Sequence, residues 1–536
     1  MSKFVFVTGG VVSSLGKGIT AASIGRLLKS RGLRVSMKKF DPYINIDPGL
    51  LSPLQHGEAF VTEDGGQCDL DVGHYERFID ENLGKYSDIT TGTVYWNVLT
   101  RERQGFYNGR TVQVIPDITN EINRFIQLEA DETGCDVLIT EIGGTVGDIE
   151  GLPFYEAIRQ FAAEREPDTC LFIHVTLVPY LRKAEEIKTK PTQHSVKALL
   201  SIGIQPDIIV CRTEVPLEKD TKQKIGLFCN VPASHVVENM DCDYLYEIPL
   251  MLENEGLAEL VCSELKLKCD PPELSQWIEM VEKIKRPKEK VIVGLVGKYT
   301  DFRDAYLSVV EAIKHGAIAN EVEVGIRWIA ARDVVEGEME TLFAGIDAMI
   351  VPGAFDKRDI EGKINAIQYA RENNIPFLGL GMGMQMAAVE IARHVKGWQD
   401  AHSTEINPAT QYPLVMLPSQ LGYADAKDEL RLGAWPTTLA KNSLAADIYN
   451  TEVIVERHRH RYEMNEKLVA QLSDTGLVIT GINEEQGFID VLEYTQNDWF
   501  VGVSYHPEYK SRPTRPHPLF AAFVKAAMAH HHSVKA

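Results

Sequence analysis

The chain has 536 residues, 44% of them hydrophobic, enough to build several cores and, by length, roughly three domains. Its 55 lysines and arginines face 76 aspartates and glutamates, and the net charge of −21 excludes a general affinity for nucleic acid or anionic membrane. Anionic ligands therefore need a local basic site. No apolar run is long enough to cross a bilayer and the N-terminus has no signal-peptide profile, so a cytoplasmic location is expected.

The first predicted strand, "KFVFVTGG", runs into the glycine-rich stretch "VTGGVVSSLGKGIT" at 7–20 and then the helix "TAASIGRLLKSRG". Such a turn, with Gly10, Gly16, Lys17 and Gly18, points backbone N–H groups and a helix N-terminus at phosphate, with Lys17 reaching the outer phosphates. The spacing is not that of a standard Walker A loop, yet the flanking strand and helix favour nucleotide binding over a structural turn. Further apolar runs, "GLRVSMKKF", "CDVLITEIGG", "CLFIHVTLV" and "PDIIVCRT", alternate with helical patterns, which predicts an α/β domain with a largely parallel sheet. Asp69 and Asp71 in "DLDVGHYERF" and Glu141 after "DVLIT" are acids suited to holding Mg²⁺ beside a nucleotide, although spacing alone equally fits solvated acids or caps. Lys38 and Lys39, and later Lys188 and Lys190, are basic pairs where a second polyanionic substrate would sit; the ordinary alternative is a solvated face.

Around 270–290, "KCDPPELSQWIEMVEKIKRPKEK" combines a proline pair, an amphipathic helix and a charged run, which divides the chain into 1–270, a linker 271–290, and 291–536. A second α/β series follows, with "VIVGLVGKY", "VGIRWIA", "DAMIVPGAF" and "IPFLGLG", and then a more β-like portion ending at "WFVGVSYHPEY". The "HHH" at 530–532 is read as tail composition. All eight cysteines precede residue 270 without a CxxC pair, so they read as reduced packing thiols. "PFLGLGMGMQ" at 376–385 has the outline of a nucleophile elbow, but its central position is Gly381.

The words "FVTGGVVSSLGKGITAAS", "DPYINIDPG", "GHYERFID", "EIGGTVGDIE", "FIHVTLVPYL", "KTKPTQHSVK" and "SIGIQPDI" resemble the CTP synthase family, amidoligases that make CTP from UTP, ATP and an amino nitrogen, and "STE", "ERHRHRYE" and "HPEYKSRP" extend the likeness. The resemblance implies a P-loop-type, mostly parallel synthetase domain and a flavodoxin-like class I glutamine amidotransferase domain. It implies that Lys17 and Lys39 stabilise phosphoryl charge, that Asp71 and Glu141 hold Mg²⁺, and that Ser13, Leu15, Gly16, Lys17, Gly18, Ile19, Asp71 and Arg212 bind ATP. It also assigns UTP or CTP to Ser13, Asp148, Glu150, Lys188, Thr189, Lys190, Thr192, Gln193 and Lys224, with Glu150 in an overlapping product-inhibitor site, and implies a homotetramer.

In a class I amidotransferase the elbow carries the cysteine of a Cys–His–Glu triad. Here His506, Glu508 and the glutamine-side Glu405 and Arg461 are retained, while Gly381 has no atom to form a thioester. The family's oxyanion loop resembles PGGFGxRG, but this chain reads "PGAFDKRD", with Ala354 and Asp356 in place of glycines. These departures imply a former glutaminase. Gln67 and Cys68 in "DGGQCDLD", Phe106 and Asn108 in "RQGFYNG", and Asp117 in "IPDITNE" depart from the family on the uracil and nitrogen side. Three functions follow as expectations: amination of UTP by free ammonia, use of a different amine, or a non-catalytic partner of an active synthase.

Overall fold

The structure is a computed structural model that describes residues 2–12, 15–353, 358–421 and 429–535. Two compact units emerge, Met1–Leu50 with Gln67–Val281 and Leu51–Gly66 with Glu282–Ala536. No helix among the described residues is long and apolar enough to cross a membrane.

The first unit is built on a seven-stranded sheet in the order Val236–Met240, Ile208–Thr213, Cys170–Leu177, Lys3–Gly9, Val137–Ile142, Val35–Asp41, Asp88–Thr90. Every neighbouring pair is parallel. Parallel strands are covered on both faces, which is why these segments read as nearly unbroken apolar runs, and in Lys3–Gly9 every residue but the first is buried. Lys3–Gly9 is central, with Val137–Ile142 on one side and Cys170–Leu177 on the other. The chain changes sides of the sheet between those two strands, and their carboxyl ends open the crevice where α/β sheets take ligands. The amphipathic helix Ser275–Lys285 buries Trp277, whose indole N–H donates to Tyr246 O at 2.7 Å and whose ring lies 5.6 Å from that of Phe78.

The second unit has a nine-stranded sheet in the order Glu323–Ala330, Lys290–Gly297, Ala348–Val351, Phe377–Leu380, Phe500–Val503, Phe488–Tyr494, Leu477–Asn483, Arg431–Leu439, Val453–His460. The first five strands are mutually parallel and the remaining pairings antiparallel. This is the α/β series followed by a β-rich portion that the sequence predicts, so the fold class read from the sequence is the one present. The 530–532 histidines are part of a docked helix, Pro518–Lys535, rather than a loose tail: His531 Nδ1 lies 2.7 Å from Asp347 Oδ1 and His532 Nε2 lies 2.8 Å from Glu289 Oε2.

Residues 51–66 join this unit through contacts far apart in sequence. Tyr509 donates its hydroxyl to Ala59 O at 3.1 Å, and the buried Arg457 donates to Val61 O at 2.9 Å and to Glu63 Oε1 at 3.2 Å. Replacing Arg457 with Ala leaves the Val61 carbonyl without this donor, and we expect a loss of about 1–3 kcal/mol in denaturant unfolding of the full chain. Limited proteolysis should then cut within 51–66 faster than in the parent; unchanged cleavage would show that Arg457 does not anchor the segment.

Candidate active site

The helix Lys17–Lys29 begins at Gly16, whose φ of 89° lies in the left-handed region that glycine adopts without steric cost. Lys17 packs its stem against Gly9, where a Cβ would fall 2.4 Å from Lys17 Cδ, and donates its ammonium to Gly144 O at 2.8 Å. At Gly18 an added Cβ would lie 2.6 Å from Asp71 Oδ1 and 3.2 Å from Glu141 Oε2. The absence of a side chain therefore lets two carboxylates from different elements converge on the first turn of the helix.

Asp69 caps the helix Leu70–Ile79 by accepting from the Asp71 N–H at 3.0 Å, which fixes Asp71 in the first turn. Lys39, on the strand Val35–Asp41, donates to Asp69 Oδ1 at 2.6 Å, forms a close bond to Asp71 Oδ2, and lies 3.6 Å from Asp41 Oδ1. Burial alone would lower the Lys39 pKa, but Asp41, Asp69, Asp71 and Glu141 together raise it well above the ordinary lysine value. Burial would raise Asp71, yet Lys39, His74 and Lys17 hold it below the usual range. Glu141, buried and facing Asp71, is pushed up to about 7 even though it accepts the Tyr75 hydroxyl.

This donor set suits Mg²⁺. The ion usually takes one or two protein carboxylates and fills its remaining positions with water and phosphate oxygens, and Asp71 and Glu141 supply two hard oxygens aimed at the same point. Among the described residues no group of three or more His, Cys, Asp or Glu side chains is arranged to hold a metal ion.

Leu15 and Arg212 are brought together as well. Arg212 donates to Leu15 O at 3.2 Å and to Asp241 Oδ1 at 2.8 Å, and both residues line a cleft of about 240 Å³ with Val12, Leu177 and Pro179. Ile19 lies in the first turn of the same helix. The helix Lys190–Ser201 starts at Thr189, with Thr192 and Gln193 buried and Gln193 Nε2 donating to Thr189 Oγ1 at 3.1 Å. Lys188 pairs with Glu186 at 2.6 Å, and the Glu186 carboxyl is held low by that bond and by the charges of Lys188 and Lys224. Lys190 is exposed, its ammonium 5.6 Å from the Phe228 ring centroid. Asp148 and Glu150 are exposed, with Asp148 Oδ2 accepting from Thr145 N at 2.9 Å. Ser13, Ala354 and Asp356 lie outside the described residues. Asp41 and Tyr75 were not singled out from sequence: Tyr75 sits within the quoted "GHYERF" and Asp41 within "MKKFDPYIN", but neither spacing marks them.

In the second unit Gly381 follows the strand Phe377–Leu380 and opens the helix Met382–His394 at φ 52° and ψ −112°. A Cβ there would point at His506, 3.6 Å from Nε2, and His506 Nδ1 lies 2.7 Å from Glu508 Oε1. The turn, the histidine and its carboxylate are thus all in place around a position with no side chain. Glu405 is half-buried beyond the strand Ala401–Ser403, and Arg461 is exposed after Val453–His460.

The fold and these two sites define a nucleotide-binding synthetase joined to a glutaminase-type unit that lacks a nucleophile. The family model described as CTP synthase N-terminus matches residues 3–267, and that described as glutamine amidotransferase class-I matches 301–526. The CTP synthase of Clostridium acetobutylicum is 56% identical over 527 residues, 98% of each chain, and that of Bacillus subtilis is 54% identical over 529 residues, 98% of this chain and 99% of that one. Among solved structures, the Trypanosoma brucei CTPS glutaminase domain with bound acivicin is 34% identical, covering 45% of this chain and 94% of that chain at a TM-score of 0.42. The chain belongs to the CTP synthase family.

Two substitutions test this geometry. Gly18→Ala places a methyl against Asp71 and Glu141, and we expect ATP-dependent turnover to fall by about 10²-fold with little change in melting temperature. Gly381→Cys should create a thiol activated by His506, alkylated by iodoacetamide at neutral pH about tenfold faster than in the Gly381→Cys, His506→Ala double variant. Equal rates in the two would mean that the elbow no longer aims at the histidine.

Proposed function

We propose that this chain aminates UTP at C4 with free ammonia, using ATP to activate the carbonyl. The observation that carries the reading is the convergence of Lys17, Lys39, Asp71 and Glu141 around the first turn of one helix, in a protein whose elbow holds Gly381. In the reaction UTP O4 attacks the γ-phosphorus of ATP, the bond to ADP breaks, and C4 gains a phosphate leaving group. Ammonia then adds at C4, a proton is lost, and the C4–O bond breaks to release phosphate and CTP.

Mg²⁺ bound by Asp71 and Glu141 would neutralise charge on the phosphate oxygens. Lys17, at the helix N-terminus, and Lys39 stabilise negative charge on the transferring group. Gly16, Gly18 and Ile19 present the turn to the ATP phosphates, and the cleft beside Leu15 and Arg212 takes the base. Lys188, Thr189, Lys190, Thr192, Gln193 and Lys224 form a basic and polar approach suited to a second triphosphate, UTP, and the resemblance assigns Ser13 to both nucleotides. Asp148 and Glu150 belong to the overlapping site through which CTP inhibits, and the working assembly is a homotetramer in the cytoplasm. His506, Glu508, Glu405, Arg461 and Ala354 are remnants of a glutaminase.

A larger amine in place of ammonia is the second reading, favoured by Phe106, which departs from the family pattern and is 65% exposed. Product analysis with UTP, ATP, Mg²⁺ and a panel of nitrogen sources decides between them. Ammonium should give CTP at a rate that rises with pH as more NH₃ is present, glutamine should give none, and Lys17→Ala should abolish turnover. CTP formed equally well from glutamine would end the ammonia reading.

A further inference from the structure

The segments "FIHVTLV" and "KTKPTQHSVK" meet at His174. This residue lies in the strand Cys170–Leu177, in register with Thr8 on the neighbouring strand Lys3–Gly9, and is completely buried. Its Nδ1 is 2.8 Å from Thr8 Oγ1 and its Nε2 is 2.8 Å from Ser195 Oγ. The Thr8 hydroxyl also lies 3.4 Å from Ile173 O. Each hydroxyl can donate or accept, so either tautomer of the neutral ring pairs one nitrogen with Thr8 and the other with Ser195. Burial, with the Lys17 charge adding to it, drives the His174 pKa down to about 3, so the ring stays neutral and bonds to both neighbours.

The two ends of this chain of bonds belong to different nucleotide segments. Thr8 is two residues before Gly10, the first glycine of the phosphate turn, and Ser195 is in the helix Lys190–Ser201, which also carries Thr192 and Gln193. The ends also touch. A Cβ on Gly10 would fall 1.7 Å from Ser195 Oγ and 3.0 Å from Val146 Cγ1, so the turn backbone rests directly on the Ser195 side chain. Gly10 N is itself held by Val175 O, the residue after His174, at 3.2 Å. A shift of the helix moves Ser195 against the start of the turn, and a shift of the turn moves Ser195 against the helix. Because all three side chains are buried, neither end can exchange its partner for water without opening the structure.

We propose that His174 is a positioning residue that couples the two nucleotide sites: through Thr8 and Ser195 it makes the ATP turn and the UTP helix move as one body, so that filling one site orders the other. This inference rests on the placement of ATP at 15–19 and UTP at 188–193 given above.

The test is a binding measurement on the full chain with Mg²⁺. The affinity for a non-hydrolysable ATP analogue is titrated calorimetrically without UTP and with saturating UTP, in the parent, in Ser195→Ala and in His174→Phe. The parent should bind the analogue more tightly when UTP is present. In both variants the ratio of the two affinities should fall to about 1, with each nucleotide alone bound within about threefold of the parent. A ratio of 1 in the parent, or a parent-like ratio in Ser195→Ala, would overturn the proposal. Ser195→Ala removes a single oxygen and decides the matter if the larger change at His174 prevents folding. No turnover is involved, so coupled binding without CTP formation would sink the functional reading and leave this inference standing. CTP formation with coupling untouched in Ser195→Ala would do the reverse.

Discussion

The ammonium of Lys39, set among Asp41, Asp69 and Asp71, is the interaction on which the rest of the first unit's chemistry depends. The parallel register makes it possible: Lys39 stands opposite Glu141 on one neighbouring strand and opposite Asp88 on the other. Asp69 serves two purposes, capping the helix that presents Asp71 and accepting from Lys39. Each partner is unfavourable alone, since a buried lysine without carboxylates would lose its proton and clustered buried carboxylates without a cation would take one up. Asp41 and Glu141 show the residue of that conflict. Burial raises both, and Glu141, facing the Asp71 charge, retains a demand for positive charge that a divalent ion beside ATP would satisfy.

Two glycines at helix N-termini have opposite meanings. At Gly18 the missing Cβ creates room for two carboxylate oxygens beside the helix N-terminus. At Gly381 the missing side chain leaves a histidine and its carboxylate with no nucleophile to serve. The elbow nevertheless persists because its neighbours are fixed by backbone contact. A Cβ on Gly383 would fall 1.9 Å from Val351 O, and one on Gly379 would fall 2.7 Å from the Gly383 carbonyl carbon. His506 also stacks on Tyr509 with ring centroids 5.3 Å apart, so the dyad belongs to the packing of the unit as well as to its former chemistry. A turn held by sheet and helix packing outlasts the reaction it once supported.

The buried parallel strands were legible because burial on both faces leaves an apolar run, and the phosphate turn because its glycines lie between a strand and a helix. Gly381 was legible because one elbow position decides whether acyl transfer is possible. Other features leave no local mark. The union of 51–66 with the second unit depends on Arg457 meeting Val61, 396 positions away, and no periodicity reports such a pairing. Asp41 and Tyr75 join the site through strand register and the rotation of a helix, which spacing along the chain does not reveal. The terminal histidines looked like composition because their acidic partners, Asp347 and Glu289, lie far back in the sequence.

Asp117 bears on where the nitrogen comes from. A carboxylate in place of the family's histidine invites the idea of a new base for a new amine. Its surroundings argue otherwise. Arg110 donates to both carboxylate oxygens, one at 3.1 Å and the other more closely, and the Gln113 N–H donates at 2.9 Å. The Arg110 hydrogen bond holds the carboxyl below its usual range, so this acid is a poor proton acceptor with its lone pairs already engaged. It closes the 110–117 segment on itself and does not deprotonate an incoming ammonium. Asp117 therefore supplies no dedicated base for a new amine, and ammonia and other amines alike would reach C4 as the neutral fraction set by their own equilibrium in water.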